Sequence, residues 1–127
     1  MTDNPVLPVA HFPDHWIDNL PTGKPLTFSI SIVNDLQQKL RGWTCKVSIT
    51  GYTPRSADLA TQTFLHHWNK MFRNLEIPAA TVLELGEITV PALPDGATAY
   101  HLVLQLFNLE DENQEAIINN YELKIAD

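Results

Sequence analysis

Residues 28–36 read FSISIVNDL, and this stretch decides how the rest of the chain is interpreted. Its apolar residues alternate with serines, as in a β-strand that buries one face and exposes the other. The inward set is Phe28, Ile30 and Ile32, and the outward set is Ser29 and Ser31. Asn34 and Asp35 then end the alternation, because such side chains bond their own backbone and favour turns. The stretch therefore predicts an amphipathic strand followed by a tight connection.

Further segments show the same alternation and predict further strands. Their inward residues are Trp43, Cys45, Val47 and Ile49; Leu83, Leu85, Ile88 and Val90; Tyr100, Leu102, Leu104 and Leu106; and Tyr121, Leu123 and Ile125. The second of these sets fits one face only if the strand slips by one residue at Gly86, as a β-bulge would allow. The chain thus offers several one-sided strands, each of which needs a second layer to cover it.

Residues 56–78, SADLATQTFLHHWNKMFRNLEIP, fit two patterns. Leu65, Trp68, Phe72 and Leu75 have helical spacing, whereas Phe64, His66, Trp68, Lys70 and Phe72 have strand spacing. Periodicity leaves both open over 57–75, and we favour a strand because all neighbouring segments are predicted as strands.

About seven strands separated by short loops are typical of an all-β, immunoglobulin-like, two-sheet antiparallel sandwich. Tyr100, two residues before Leu102, resembles the tyrosine corner of such domains, with Ile30 and Leu102 where antibody domains have cysteines and Trp43 at the core tryptophan. Cys45 is the only cysteine, so the sandwich has no disulfide, and we interpret this residue as a small buried hydrophobe. Residues 1–23, rich in proline, are predicted as an extended lead-in, and 24–127 as the sandwich domain.

Composition excludes several classes of partner. The net charge is −7, with 15 acidic residues against 8 Lys plus Arg, and no basic cluster follows the pattern of a nucleic-acid surface. No apolar run approaches the roughly 20 residues of a membrane helix. The first sixteen residues lack the basic start and apolar core of a signal peptide, which predicts a cytoplasmic protein if Met1 is the native start and leaves a periplasmic or extracellular origin open for an excised domain.

The sequence predicts no catalytic, metal or cofactor site. The acidic residues fall mainly in turns, at Asp95 and 110–112, rather than as a paired acid and nucleophile. His66 and His67 are neighbours on a predicted strand and would point to opposite faces, so they do not form a shared metal site.

Three aromatic residues are candidates for a sugar-binding surface or a domain interface: Trp16, Tyr52 and Trp68. None has a firm place on an inward strand face, and flat exposed rings stack on sugars or fill interface pockets. Packing against the core or a neighbouring domain is the weightier of these interpretations, because large aromatic side chains bury well.

Three short motifs resemble those of a known module. The strand ending Val33-Asn34-Asp35 precedes Leu40-x-Gly42 and the strand WTCKVSITG, and the chain closes on Asn119-x-Tyr121-x-Leu123. Over roughly residues 24–127 this pattern resembles the C-terminal β-sandwich domain of family 2 glycoside hydrolases of the β-mannosidase and exo-β-glucosaminidase type. The residues TFLHHWNKMFRNLEIP have no counterpart in that pattern. The catalytic carboxylates of those enzymes lie in a separate barrel, so the resemblance implies an accessory role.

We therefore expect a non-catalytic accessory domain that packs against the catalytic domain of the same parent chain or frames its cleft. Two alternatives stay open: a carbohydrate-binding module, with carbohydrate as partner, and a free-standing adhesion or assembly domain whose edge strands recruit a partner. The accessory domain and the carbohydrate-binding module differ in where the three candidate aromatics lie: scattered and buried in the first, exposed together in the second.

Overall fold

Two antiparallel sheets pack face to face in the computed structural model, which describes residues 5–52, 64–93, 99–108 and 115–125. In these ranges the strands are β1 (Val6–His11), β2 (Leu26–Asn34), β3 (Leu40–Tyr52), β4 (Phe64–Ile77), β5 (Thr81–Val90), β6 (Ala99–Asn108) and β7 (Ile117–Lys124). A 3-10 turn, Asp14–Ile17, lies between β1 and β2. The predicted all-β sandwich is confirmed.

The sheets differ in size, with strand order β1-β2-β5 in the three-stranded sheet and β4-β3-β6-β7 in the four-stranded sheet. In immunoglobulin constant domains the fourth strand joins the sheet of the first two. Here β4 pairs instead with β3, from Leu40 opposite Ile77 to Tyr52 opposite Phe64. A four-stranded sheet thus faces a three-stranded one, and the edge strand β4 is covered less completely by the opposite sheet.

The inward residues predicted for β2, β3 and β6 form the core. All of them are buried: Phe28, Ile30 and Ile32; Trp43, Cys45, Val47 and Ile49; Tyr100, Leu102, Leu104 and Leu106. The predicted slip in β5 is also confirmed, since Ile30 lies opposite Gly86 but Ser31 lies opposite Glu84, and Gly86 has a φ of 96°. Burial of one face of each sheet against the other is the main stabilising contribution.

The segment with two possible periods is a strand, as favoured, wherever it is described, from Phe64 to Ile77; residues 57–63 lie outside the described part of the chain. A helix pattern arises because the inward parity of β4 changes along its length. Trp68 and Phe72 share one parity and Leu75 and Ile77 the other, and between them Asn74 has a φ of 55°. The register with β3 shifts at the same place, so a bulge explains the mixed period.

The region predicted as an extended lead-in, residues 1–23, contains a strand. Residues Val6–His11 pair with β2 along their whole length, so the first strand belongs to the sandwich. Pro8 is compatible with this because β1 is an edge strand, where a residue without an N–H group removes no bond between strands.

The outward assignment of Ser31 also needs correction, because its side chain is only 1% exposed. Ser31 lies between Val9 of β1 and Glu84 of β5, and His11 Nε2 is 2.7 Å from its hydroxyl oxygen. Simple alternation predicts which sheet face a residue occupies, but not whether neighbouring strands cover that face.

Asn34 explains why the strand beginning at residue 26 stops where it does. Its side chain is fully buried, and its Nδ2 donates to the carbonyl oxygens of Gln38 at 3.1 Å and Pro78 at 2.9 Å, with Ile77 O at 3.5 Å. Its Oδ1 accepts from the backbone N–H of Leu36 at 3.0 Å. The predicted turn-forming role is therefore confirmed, and the amide also joins two separate connections.

Both connections pass between the sheets at the same end of the sandwich. Residues 35–39 carry the chain from β2 to β3, and residues 78–80 return it from β4 to β5. Ala80 N donates to Leu36 O at 2.8 Å, and Asp35 N donates to Pro5 O at 2.8 Å, which adds the start of the chain to the same network. One buried side chain thus fixes the end of the sandwich where the chain changes layers.

Replacing Asn34 with aspartate should destabilise the fold strongly. The carboxylate would face carbonyl oxygens without the two N–H groups that they accept from, and an unpaired buried charge costs about 3–5 kcal/mol. Asn120→Asp is the matched control, because Asn120 is exposed on β7 and gains the same charge. Urea unfolding should show that loss for Asn34→Asp and a change within about 0.5 kcal/mol for the control. Equal stabilities would contradict the role given to this amide.

Candidate functional site

The two lateral sides of the sandwich differ in how they are closed. On the side of β1 and β7, side chains of one sheet bond the backbone edge of the other. Asn119 Nδ2 donates to Pro8 O at 2.9 Å and to Tyr121 Oη at 3.0 Å, and Ala10 N donates to the same hydroxyl at 3.3 Å. We call this the closed side.

An aromatic cluster fills the closed side beside these bonds. Phe12 stacks on Trp16 with ring centroids 5.8 Å apart and meets the ring of Tyr121 edge-on at 5.2 Å. Trp16 in turn contacts Phe28 edge-on at 6.2 Å. Trp16 is only 7% exposed, so its ring offers no face to a sugar or to a neighbouring domain. This residue has a structural position, and it leaves the set of surface candidates.

The side of β4 and β5 is open. The inward residues there remain half-buried although they pack on the core: Trp68 and Phe72 of β4, and Leu83 and Leu85 of β5. Trp68 lies opposite the buried Ile49 and Phe72 opposite the buried Cys45, which places both on the inner face of their sheet. Because β4 is the additional strand of the larger sheet, its inner face extends beyond the cover that the smaller sheet provides.

One charged residue lies among these apolar side chains, and two more lie on the outer face of β5. Lys70 occupies an inward position of β4, opposite Val47, with its Nζ 5.2 Å from the ring centroid of Phe72. Glu84 and Glu87 are exposed on β5 on either side of the bulge at Gly86. An inward-pointing charge and a bulge are features that hinder a foreign strand from pairing with an edge.

Of the three aromatic candidates, the structure thus leaves Trp68 at a surface. Tyr52 is the last residue of β3, and its side chain lies outside the described part, as do the side chains of His66 and His67. The predicted acidic turn residues Asp95 and 110–112 are outside the described ranges too. Within the described residues, the three aromatics are therefore not seen together on one face.

A pocket of about 470 Å³ opens at the end of the sandwich where the chain changes layers. Its lining is about equally polar and apolar, and the apolar part includes the buried side chains of Val6, Leu40 and Trp43. Polar groups at the pocket are Gln38, Lys39, Arg41 and Asn108. The sequence alone does not predict a site at these residues.

A bulge at the start of β3 positions the basic residues. Leu40 lies opposite Ile77 but Trp43 lies opposite Leu75, so β3 contains one extra residue here, and Gly42 has a φ of 72°. Leu40 and Trp43, which a regular strand would place on opposite faces, are both buried, while Arg41 is exposed at the pocket. The Leu-x-Gly motif in the sequence was the available signal, because glycine is favoured where a bulge requires positive φ.

The two basic side chains at the pocket are in different states. Lys39 Nζ lies 3.2 Å from Glu76 Oε2 and is already paired. For Arg41, the described part of the chain provides no hydrogen-bond or ion-pair partner. Its guanidinium group is thus available to an anion.

Other chemical features of the described ranges are few. No group of three or more metal-ligating residues occurs in them, and none of their helices is long and apolar enough to cross a membrane. Cys45 is fully buried in the core, and this burial raises the pKa of its thiol from the ordinary 9.0 to about 12. The interpretation of Cys45 as a buried small hydrophobe is confirmed.

Comparison with known proteins supports the fold and goes no further. The sequence matches no family model and no curated protein sequence. Among solved structures, it is similar to Spo0M, a sporulation control protein from Bacillus subtilis, with a TM-score of 0.59 and 8% sequence identity. The similarity covers 98% of this chain and 51% of that one, so this chain spans about half the length of Spo0M.

The bonds of the closed side can be tested with a double-mutant cycle. Tyr121→Phe removes the acceptor of Ala10 N and of Asn119 Nδ2 and should lower the free energy of unfolding by about 1–2 kcal/mol. Asn119→Ala should cost a similar amount, and the double variant less than the sum, with a coupling of about 0.5 kcal/mol or more. Asn120→Ala, on the exposed face of β7, is the control. Strict additivity would contradict a shared network.

The reactivity of Cys45 follows from its raised pKa. At pH 8 the native thiol should react with a disulfide reagent about a thousandfold more slowly than in guanidinium chloride, since thiolate is the reacting form. Because only the unfolded thiol ionises above pH 9.0, stability should fall by about 1.4 kcal/mol per pH unit between pH 9.0 and 12. Cys45→Ala should lack this part of the slope, and identical slopes would contradict it.

Proposed function

We propose that this chain is a non-catalytic β-sandwich domain that packs through its open side against a folded partner domain. The observation that carries the proposal is the set of half-buried apolar side chains between two unpaired edge strands: Trp68 and Phe72 on β4, Leu83 and Leu85 on β5. Aromatic residues at such positions are the anchors that dominate interface energies.

The asymmetry of the sandwich supports this surface over others. The closed side has its edges bonded through Asn119 and Tyr121 and its interior filled by the aromatic cluster. The open side has no comparable bonds between β4 and β5 in the described residues, and its apolar side chains keep contact with water. A neighbouring surface that covered them would complete the layer that the three-stranded sheet leaves short.

The edges favour a folded partner over an added strand. Lys70 on the inner face of β4 and the bulge at Gly86 both disturb the flat, uncharged edge that strand addition needs. Exposed charged residues lie on both edges, Lys70 and Arg73 on β4 and Glu84 and Glu87 on β5, and would form a rim around the apolar centre. The partner surface would be apolar at its centre and carry charges of both signs around it.

The proposed partner is the catalytic domain of a family 2 glycoside hydrolase. This narrower statement rests on the resemblance of the Val33-Asn34-Asp35, Leu40-x-Gly42 and Asn119-x-Tyr121-x-Leu123 motifs to the C-terminal sandwich of those enzymes. In this chain Asn34, Asn119 and Tyr121 fix connections and edges, which are the tasks of a structural module. The similarity to Spo0M concerns the fold alone and carries no role in sporulation over to this chain.

The test uses a β-mannosidase or exo-β-glucosaminidase from which the C-terminal sandwich has been removed. This chain, added in trans, should bind that enzyme with a dissociation constant in the micromolar range, measured by surface plasmon resonance. Trp68→Glu should weaken binding at least tenfold, about 1.4 kcal/mol. The control is Ile118→Glu, an exposed apolar residue on β7 at the closed side. Circular dichroism should show both variants folded.

The outcomes separate the parts of the proposal. Absence of binding by the wild-type chain would overturn the glycoside hydrolase partner, and equal loss in both variants would overturn the open side as the interface. The carbohydrate-binding alternative predicts a different result, namely micromolar binding of manno- or chito-oligosaccharides by the isolated chain that Trp68→Ala abolishes. We expect no such binding, and no hydrolysis of aryl β-mannosides or β-glucosaminides.

A further inference from the structure

The pocket at the end of the sandwich combines an apolar wall with one unpaired cation. Val6, Leu40 and Trp43 contribute the buried wall, and Arg41 lies at the pocket without a partner in the described ranges. Its volume of about 470 Å³ falls within the roughly 300–1,000 Å³ of small-molecule sites. Such sites typically combine apolar walls with a few polar groups that fix the orientation of the ligand.

We infer that this pocket binds a small monocarboxylate, with its apolar body against the wall and its carboxylate on Arg41. The inference is independent of the proposed function, because the pocket lies between β1, the β2–β3 connection and β7 rather than on the open side. A planar guanidinium group matches a carboxylate with two parallel N–H···O bonds.

The charge of the ligand follows from the state of the two basic residues. Lys39 is held by Glu76, whose carboxylate neutralises it, so Arg41 contributes the one unpaired positive charge of the described pocket residues. A phosphate monoester carries close to two negative charges near neutral pH and would bring an uncompensated charge towards Glu76. A single carboxylate is matched in charge by Arg41 alone.

The bulge supports a binding role for Arg41. Positive φ at Gly42 lets Leu40 and Trp43 both be buried and leaves Arg41, between Leu40 and Gly42, at the pocket. Bulges commonly re-aim side chains beside functional sites. Near an apolar wall a charged hydrogen bond is screened less than in open water, so the pair gains strength there.

The apolar side chains that line the pocket determine which apolar body the ligand needs. The lining side chains Pro5, Leu36 and Ile117 complete a surface without charge around the buried residues. A short alkyl chain or a single aromatic ring can cover such a surface and remove it from water. Formate or acetate would satisfy Arg41 but leave the partly exposed side chains of Pro5, Leu36 and Ile117 in water, and should bind more weakly.

The experiment is a titration of the folded chain with octanoate and phenylacetate, followed by heteronuclear NMR. The indole N–H signal of Trp43 should shift and those of Trp16 and Trp68 should not, with dissociation constants of about 0.1–1 mM. The neutral analogues octanol and 2-phenylethanol, which have the same apolar bodies, should bind at least tenfold more weakly.

Variants then assign the carboxylate to its partner. Arg41→Gln should weaken octanoate binding at least tenfold without changing octanol binding, and Arg41→Lys should lie between. Arg73→Gln is the matched control, because Arg73 is an exposed arginine on β4 outside the pocket, and Lys39→Gln should change affinity less than twofold. Three results would each overturn the inference: no shift of Trp43 at 10 mM ligand (roughly tenfold above the weakest expected constant), equal binding of acid and alcohol, or unchanged affinity in Arg41→Gln.

Discussion

The buried amide of Asn34 is the constraint on which the architecture depends. A primary amide has two donor hydrogens and an acceptor oxygen, and burying it without partners would cost several kcal/mol. Here its donors bond the β2–β3 connection at Gln38 and the β4–β5 turn at Pro78, and its oxygen accepts from Leu36. The β2–β3 and β4–β5 connections, which both carry the chain between the sheets at this end, are therefore held together. An aspartate has a similar shape but lacks the donors, so amide chemistry and not size is what this position requires.

The two lateral sides of the sandwich, that of β4 and β5 and that of β1 and β7, are covered differently. The chain returns to the three-stranded sheet only at β5, after β4 has paired with β3. The larger sheet therefore has one strand, β4, that the smaller sheet covers incompletely. The opposite side is closed by the side chains of Asn119 and Tyr121, which form hydrogen bonds with the backbone of Pro8 and Ala10. A strand edge with its polar groups satisfied in this way is protected from pairing with other chains. The incompletely covered apolar surface at β4 and β5 is thus a consequence of strand order, not of a special motif.

The sequence predicted the parts of the fold that depend on alternation. The inward residues of β2, β3 and β6 were correct because a one-sided apolar strand has one way to bury its face. The prolines of the first residues predict an extended segment and hide the first strand, because an edge strand tolerates proline. Ser31 was misjudged for another reason, since its burial depends on neighbours in β1 and β5 that alternation does not specify. Trp68, a candidate from the sequence, is half-buried, whereas the burial of Trp16 depends on long-range packing with Phe12 and Phe28.

The features that bear on function lie where alternation is interrupted. The bulge at Gly42 exposes Arg41 at the end pocket, that at Asn74 lets Trp68 and Ile77 face inward from positions of opposite parity, and that at Gly86 disrupts the free edge of β5. Each interruption departs from the regular pairing of a strand, so each needs compensation from the buried faces on either side of it. In a regular strand every second residue points to the core, so alternation in the sequence predicts the core. At a bulge a side chain points in a direction that alternation does not predict. The pocket and the open side could therefore be located only once the strand registers were known.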